Sequence, residues 1–206
     1  GTLDMAKADG NFDKYAYISE TESTTYFGGL NVNRGTFGLE SGACMTAKTE
    51  QEKADTVTAL NNKNFRKAMM HAFDKKTVNA TSRGEELAET NLRNMYTHPE
   101  FVKLENDATD ADGHTFAAGT FYGELVQYYC DQLGCQVNCA DGIDGWYNPT
   151  AAKEYLEAAK AELDGQVTFP IKIDVVYYSP SDSQTAQANA YKSVIESTLG
   201  TDNVVV

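Results

Sequence analysis

The chain has 206 residues, and 17 Lys and Arg stand against 30 Asp and Glu, which gives a formal net charge of −13. This charge argues against nucleic acid and anionic membrane surfaces as partners, because both require clustered basic residues. Hydrophobic residues make up 41% of the chain, which is enough for a packed core, but no apolar run is long enough to span a membrane. The N-terminus is neither basic nor apolar, so it does not resemble a signal peptide.

The first part of the chain, residues 12–37, is predicted to be extended. Residues 14–18 are a short strand candidate, and residues 24–27 lead through a glycine pair into residues 30–33. Their β-branched and aromatic side chains favour strands. The paired glycines indicate a bulge or the close approach of another backbone.

The middle part, about residues 50–146, is predicted to be mainly helical. A second helix candidate covers residues 84–95, and a third covers residues 121–133 and ends at Gly134. Residues 106–114 form a polar, turn-rich loop. The first and clearest helix is predicted by an apolar stripe at helical spacing. The stripe consists of Phe65, Ala68, Met69, Ala72 and Phe73.

One more helix begins the last part of the chain. Asn148 and Pro149 are typical of a helix N-cap and first helical position, and Gly165 ends the helix. Its predicted apolar face consists of Ala152, Tyr155, Leu156, Ala159 and Leu163.

A strand–helix–strand unit is predicted next. Residues 169–178 alternate at first and then become continuously apolar, which is typical of a strand covered on both faces. Residues 181–184 fit a capping box that opens a helix ending at Gly200, and residues 203–206 form the second strand. The two strands are therefore expected to be parallel, in an α/β architecture.

Four cysteines stand at Cys44, Cys130, Cys135 and Cys139. An even count permits disulfides in an exported protein, and free buried thiols are the alternative. The C-x4-C-x3-C spacing does not match a zinc ribbon, so we expect no metal site.

No catalytic signature occurs, and the histidines, at positions 71, 98 and 114, are scattered in sequence. The acidic loop at 106–114 lacks calcium ligands where an EF-hand requires them, since those positions hold Ala108 and Gly119. A solvated turn is the better interpretation. We predict no enzyme activity and no cofactor.

The loop at residues 179–182 follows a predicted strand and precedes a predicted helix. Ligands of open α/β sheets bind at the carboxyl ends of strands, and the amide groups at a helix N-terminus favour anions. A ligand carboxylate therefore fits here, although Asp182 brings its own negative charge. The alternative is an ordinary capped loop.

Six stretches of the chain match the motifs of one known family in order and spacing. Residues 62–75, NKNFRKAMMHAFDK, match its helix "vRqAlayAiDR", although Lys75 replaces the final Arg. The other matching stretches are LNVN at 30–33, LRNMYTHPEFV at 92–102, DGWYNP at 144–149, FPIKID at 169–174 and LGTDNV at 199–204. Over about residues 25–206 the chain therefore resembles the oligopeptide-binding lipoproteins of Gram-positive ABC importers (solute-binding protein family 5, Ami/Ali type).

The resemblance implies a periplasmic-binding-protein-like type II lobe, with a mixed sheet flanked by helices and a terminal βαβ unit. Residues 1–206 would be most of the distal, peptide-binding lobe of a larger two-lobed protein, cut at its C-terminus. The family's acidic anchor for the peptide's amino group follows the last strand and is absent here. The implied function is capture of oligopeptides and their delivery to the permease subunits of an ABC transporter.

The resemblance also implies a location on the extracellular face of a Gram-positive cell membrane, held by a lipid anchor outside this chain. Two alternatives remain: a receptor for another solute, such as a metal chelate or a sugar, and a secreted enzyme or adhesin domain. The implied peptide-binding residues are Tyr26, Phe27, Asn31, Tyr178, Ser179, Asp182 and Gln184.

Overall fold

The computed structural model describes residues 2–17, 24–35, 48–135, 137–140, 142–143 and 145–206. None of the described helices has both the length and the apolar character needed to cross a membrane. The described helices are α1 (Thr2–Ala8), α2 (Phe12–Tyr15), α3 (Glu50–Asn61), α4 (Lys63–Ala72), α5 (Lys75–Arg83), α6 (Tyr122–Gln132), α7 (Pro149–Glu162) and α8 (Asp182–Leu199). The described strands are β1 (Ala108–Thr109), β2 (Thr115–Phe116), β3 (Ile171–Lys172) and β4 (Val204–Val205).

The main core is built on the packing of α4 against α7. Phe65, Ala68, Met69 and Ala72 are buried on α4, which confirms the predicted stripe, and Phe73 is partly buried at its edge. Helix α7 contributes a buried face as predicted. Fully burying a side chain the size of Phe or Met contributes about 1.5–3 kcal/mol to the stability of the fold. The core residues from α7 and the turn after it are Ala152, Leu156, Ala159 and Leu163.

Local signals start and stop the helices around this core. The side chain of Asn148 accepts a hydrogen bond from the backbone N–H of Ala151 at 3.0 Å, and Pro149 occupies the first turn of α7. Asn62 caps α4 in the same way, accepting from the N–H of Phe65 at 2.9 Å. These caps satisfy backbone donors that have no partner within the helix.

The predicted strand–helix–strand unit is present. Strands β3 and β4 are parallel, with Ile171 opposite Val204, and α8 connects them. Ser181 caps α8 by accepting from the N–H of Gln184 at 3.3 Å, and Gly200 follows the helix with a positive φ of 84°. A parallel pair joined by a helix, packed against further helices, is an α/β arrangement.

A smaller substructure surrounds α6. Strands β1 and β2 form an antiparallel hairpin whose connection is the predicted polar turn. Asp110 accepts from the backbone N–H groups of Asp112 and His114, so its carboxylate organises the turn. The hairpin packs on α6 through His114, whose ring stacks on Tyr128 with centroids 4.0 Å apart. The turn is therefore held by its own hydrogen bonds and by aromatic contacts with α6.

The predicted strand at 14–18 is wrong where the structure describes it. Phe12–Tyr15 is helical, and the N–H of Ala16 closes the turn onto the carbonyl of Phe12 at 2.8 Å. Ile18 lies outside the described residues. β-Propensity reflects packing against neighbouring strands, and no described strand lies beside these residues.

Two further predictions need correction. Residues 24–27 and 30–33 have no strand partner among the described residues, so they form connecting chain and a turn rather than strands. The helix predicted at 84–95 is absent, because Gly84 has a φ of 82° and ends α5 at Arg83. A single short 3-10 turn at Glu85–Leu87 follows.

Candidate functional site

The loop after β3 is organised by the start of α8. The backbone N–H of Tyr178 donates to the side-chain oxygen of Gln184 at 2.9 Å, and the hydroxyl of Thr185 donates to the carbonyl of Ser179 at 3.4 Å. Ser181 provides only half of the predicted capping box, since the Gln184 side chain accepts from Tyr178 rather than from the cap. The loop is thereby fixed against the first turn of α8.

This loop leaves its side chains available to a ligand. Tyr178 is 65% exposed, and Ser179, Asp182 and Gln184 are also exposed. Asp182 lies in the first turn of α8, where its charge interacts favourably with the helix dipole. That carboxylate competes with an incoming anion, so the loop suits hydroxyl, amide or cationic groups of a ligand better than a carboxylate.

A second group of predicted residues lies on the segment at 24–35. Tyr26 is 90% exposed. Phe27 packs edge-to-face on Tyr96, with ring centroids 5.3 Å apart, and the hydroxyl of Thr25 donates to the carbonyl of Tyr96 at 2.7 Å. Phe27 and Tyr96 therefore form an aromatic pair next to Tyr26 in the chain, and Tyr96 was not among the predicted site residues although it belongs to a matching stretch.

Asn31 has a local structural role. Its side-chain oxygen accepts from the backbone N–H of Asn33 at 3.0 Å, which forms an Asx turn. The side chain of Asn61, at the end of α3, donates to the carbonyl of Val32 at 2.8 Å. Asn31 therefore shapes the turn that brings the segment onto α3, and its own side chain is exposed.

A cluster of charges connects this segment to β3. Asp174 accepts ion pairs from Arg34 at 2.5 Å and from Lys48 at 2.8 Å, and Lys48 also donates to the carbonyl of Lys172. The Lys48 side chain has no exposed surface, and its burial lowers the pKa of its ammonium group below the ordinary value, against the opposing effect of Asp174. The cluster fixes the segment at 24–35 relative to the strand that leads to Tyr178.

The predicted site residues thus form two groups rather than one. Tyr178, Ser179 and Gln184 lie together around one loop, and among the described residues no hydrogen bond or ring contact joins them to Tyr26 or Phe27. The groups are linked indirectly, through the Arg34–Asp174 ion pair. Sequence reasoning missed this link, although Asp174 ends a stretch that matches the family pattern.

Two surface grooves lie elsewhere. One, of about 420 Å³, lies between α3 and the end of α7, and the other, of about 230 Å³, lies beside α5. Neither is lined by a predicted site residue. In the described ranges, no group of three or more His, Cys, Asp or Glu side chains is arranged to hold a metal ion.

Comparison with known proteins assigns the fold to a family. Residues 2–202 match the family described as "Bacterial extracellular solute-binding proteins, family 5 Middle". The chain belongs to this family. The match covers nearly the whole chain, so the α/β class and the family resemblance of the sequence motifs are both confirmed.

Named relatives of this family 5 chain come from streptococci. It is 36% identical over 204 residues to the oligopeptide-binding protein SarA of Streptococcus gordonii. The aligned region covers 98% of this chain and 28% of SarA. It is 35% identical over 193 residues to the oligopeptide-binding protein AliB of Streptococcus pneumoniae, covering 91% of this chain and 27% of AliB. The oligopeptide-binding protein AmiA of the same species is 34% identical over 183 residues, 86% of this chain and 25% of AmiA. The chain therefore spans about a quarter of the length of these relatives.

The helix motif that resembles the family pattern has structural roles here. Arg66 donates to the carbonyls of Leu60 and Asn61 at the end of α3, at 2.8 and 2.9 Å. Asp74 caps α5, accepting from the backbone N–H and the hydroxyl of Thr77. The charged residues of the motif thus join three consecutive helices, so the motif identifies the fold and not a ligand site.

Proposed function

We propose that this chain is part of the extracellular substrate-binding component of an ABC importer, which captures oligopeptides and delivers them to permease subunits in the membrane. The observation that carries the proposal is family membership together with three streptococcal relatives named as oligopeptide-binding proteins. The complete protein is held on the outer face of the cell membrane by a lipid anchor and performs no chemistry on its ligand. Residues 1–206 form one lobe, the distal one.

The exposed groups support peptide as the ligand class. Tyr26, Phe27 and Tyr178 offer aromatic surface that packs on many kinds of side chain. Ser179, Asp182 and Gln184 offer hydroxyl, carboxylate and amide groups that bind peptide backbone or a peptide amino group. A surface with a few polar groups among adaptable aromatics favours a broad range of peptides over a single small solute.

Native mass spectrometry of the complete protein, as purified from its own type of host, tests this proposal. A peptide receptor is expected to carry a ladder of additional masses that fit short peptides. One sharp additional mass would instead establish a receptor for a dedicated small molecule, such as a sugar or a metal chelate. If no mass is retained, titration with a mixed peptide library follows, and absence of binding there would refute peptide capture.

Titration with a retained peptide tests the contribution of Tyr26 to binding. Its side chain is almost fully exposed, so Tyr26→Ala leaves the fold intact while removing aromatic contact area. We expect the dissociation constant for a retained peptide to rise about fivefold, which corresponds to about 1 kcal/mol. Tyr17→Ala is the matched control, because Tyr17 is equally exposed, at 88%, and lies outside the predicted site. Equal effects of the two variants would remove Tyr26 from the binding surface.

A further inference from the structure

Three cysteines meet at the end of α6. Cys130 lies in the last turn of the helix, Cys135 directly follows the helix, and Cys139 lies one short loop further on. Cys130 and Cys139 are buried, whereas Cys135 is partly exposed. No disulfide joins any two of the three in the structure. Cys44, the fourth cysteine of the chain, lies outside the described residues.

Two hydrogen bonds from backbone N–H groups hold these three residues together. The N–H of Cys135 donates to the carbonyl of Cys130 at 2.9 Å. The N–H of Cys139 donates to the side-chain oxygen of Gln127, one helical turn before Cys130, at 2.5 Å. Both hydrogen bonds hold the residues after α6 against the end of the helix, so the fold itself keeps the three cysteines close together.

Cys130 is the centre of the group. It shares a buried cluster with Cys139, and Cys135 packs against that cluster. Burial and, secondarily, the neighbouring thiols of Cys135 and Cys139 raise the pKa of Cys130 well above the ordinary value for cysteine. A buried thiol of this kind stays protonated near neutral pH, so it does not attack an external oxidant first.

The surroundings favour disulfide chemistry over metal binding. The cluster packs with Met95, Val126, Val137 and Trp146, which are apolar or aromatic. Among the residues that the structure describes, no set of three ligating side chains has the geometry of a metal site, and this includes the cysteines. Thiols in mutual contact, with one of them open to solvent, are the arrangement that thiol–disulfide exchange requires.

We propose that Cys130, Cys135 and Cys139 form a redox site that closes one internal disulfide, in which Cys130 is the obligatory partner and Cys135 is the sulfur that meets the oxidant. The oxidant is a low-molecular-weight disulfide. The Cys135 thiolate attacks one of its sulfurs and releases one small thiol. The sulfur of Cys130 then attacks Cys135 and releases the second small thiol. Two protein thiols are oxidised, the external disulfide is reduced to two thiols, and both protein protons end on those thiols.

The disulfide would fix a loop that carries other contacts. Asn94 donates from its side chain to the carbonyl of Asn138, and its backbone carbonyl accepts from the Trp146 indole at 2.7 Å. The side-chain oxygen of Asn94 is buried and has no hydrogen-bond partner among the residues that the structure describes. A covalent link within 130–139 stabilises the loop by restricting its unfolded conformations.

Peptide mapping tests the proposal, because trypsin separates these three cysteines from Cys44. No Lys or Arg occurs between Lys103 and Lys153, so Cys130, Cys135 and Cys139 share one tryptic peptide, whereas Cys44 lies in the peptide at 35–48. The complete protein is reduced, treated with oxidised glutathione, alkylated and digested. We expect the peptide at 104–153 to lose two hydrogen atoms and to carry only one alkyl group or one glutathione.

Three variants decide the roles of the individual sulfurs. Cys130→Ala is expected to abolish the internal disulfide. Cys139→Ala is the matched control, since it removes an equally buried thiol but leaves the Cys130–Cys135 pair, and it should oxidise to the same extent as the parent protein. Cys135→Ala should slow oxidation about tenfold or more, because the remaining sulfurs are shielded from solvent. Circular dichroism establishes that each variant is folded.

Three results would overturn the proposal. One is full alkylation of the peptide at 104–153 after oxidation. Another is a main product that joins this peptide to the one containing Cys44. The third is an internal disulfide that persists in folded Cys130→Ala, since it would show that Cys130 is dispensable.

Discussion

At the scale of single residues, Asp174 is the group on which the two parts of the candidate site depend. It is the common partner of Arg34 and Lys48, and only 13% of its side chain is exposed. We predict that Asp174→Asn destabilises the chain by about 3 kcal/mol, because it leaves two largely buried cations facing each other. Urea unfolding at neutral pH measures the loss. Glu157→Gln is the control, because its exposed pair with Lys160 contributes little.

The cost of Asp174→Asn should depend on pH. Burial, with smaller effects from Arg34 and Lys172, already lowers the pKa of Lys48, and loss of the Asp174 hydrogen bond lowers it further. When the pKa of a lysine is lower in the folded state than its unfolded value of 10.5, the unfolded chain binds more protons between the two pKa values. The free energy of unfolding therefore increases as the pH rises through the folded pKa. The deficit of the variant should therefore shrink on the alkaline side of neutrality. A deficit that is constant up to pH 10 would argue against Lys48 as its source.

At the scale of elements, helix α6 depends on close contact with the loops beside it. A Cβ atom at Gly123 would lie 2.4 Å from the Cβ of Pro99 and 3.0 Å from the carbonyl oxygen of Cys139. The buried Pro99 and the backbone at Cys139 leave little room for adjustment. We predict that Gly123→Ala destabilises the protein by about 1–3 kcal/mol, despite the better helix propensity of Ala.

Gly28→Ala is the control for this prediction. Apart from its two chain neighbours, no described residue has a heavy atom within 4 Å of a Cβ at Gly28, so the stability of this variant should differ from that of the parent protein by less than about 0.5 kcal/mol. Both variants are compared by urea unfolding. Equal stability of Gly123→Ala and the parent protein would mean that Pro99 moves freely and that the packing around α6 is loose.

The helices were predictable because their signals are local. Each helix signal involves only a few neighbouring residues. Examples are the apolar stripe on α4, the N-cap of α7 at Asn148 and the end of α8 at Gly200. The helix predicted at 84–95 failed for a local reason too, because the positive φ at Gly84 ends α5 and the chain turns. The spacing of Leu87, Leu92 and Met95 suits a helix, but the backbone conformation at Gly84 decides where the helix ends.

The strands were less predictable because pairing depends on partners elsewhere in the chain. Residues 169–178 were predicted as one long strand, but within the described ranges only Ile171–Lys172 is paired as a strand, and its partner is Val204–Val205. Residues 14–17 carry aromatic side chains typical of strands and still form helix and turn. Periodicity describes which face of a strand is apolar, and it does not supply the neighbouring strand.

At the scale of the whole molecule, the sequence predicted the family but not the assembly of the site. The motifs could be aligned because they fix helix junctions, as Arg66 and Asp74 do. The division of the site into a loop at Tyr178 and an aromatic surface at Tyr26 is a tertiary property, set by the ion pair between Arg34 and Asp174. Arg34 and Asp174 are far apart in sequence, so no local sequence pattern predicts their ion pair.

The apolar segment at 175–177, which follows β3, leads to a final prediction about the complete protein. Val176 is 67% exposed, and in the described part of the chain no acceptor is present for the backbone amides of Val175, Val176 and Tyr177. A continuously apolar strand end is typical of a strand covered on both faces. The relatives are more than three times as long as the matched region, and, on the proposed function, we expect a further segment of the complete protein to cover this part of the chain.

We therefore predict that the amides at 175–177 exchange rapidly in the 206-residue chain and slowly in the complete protein, even without peptide. Hydrogen exchange followed by mass spectrometry measures both. The amide of Ile173 is the internal control, because it donates to the carbonyl of Val205 at 2.8 Å and should be protected in both forms. If the amides at 175–177 instead slow only when peptide is added, this segment pairs with the ligand itself, and the peptide site extends from Tyr178 back towards β3.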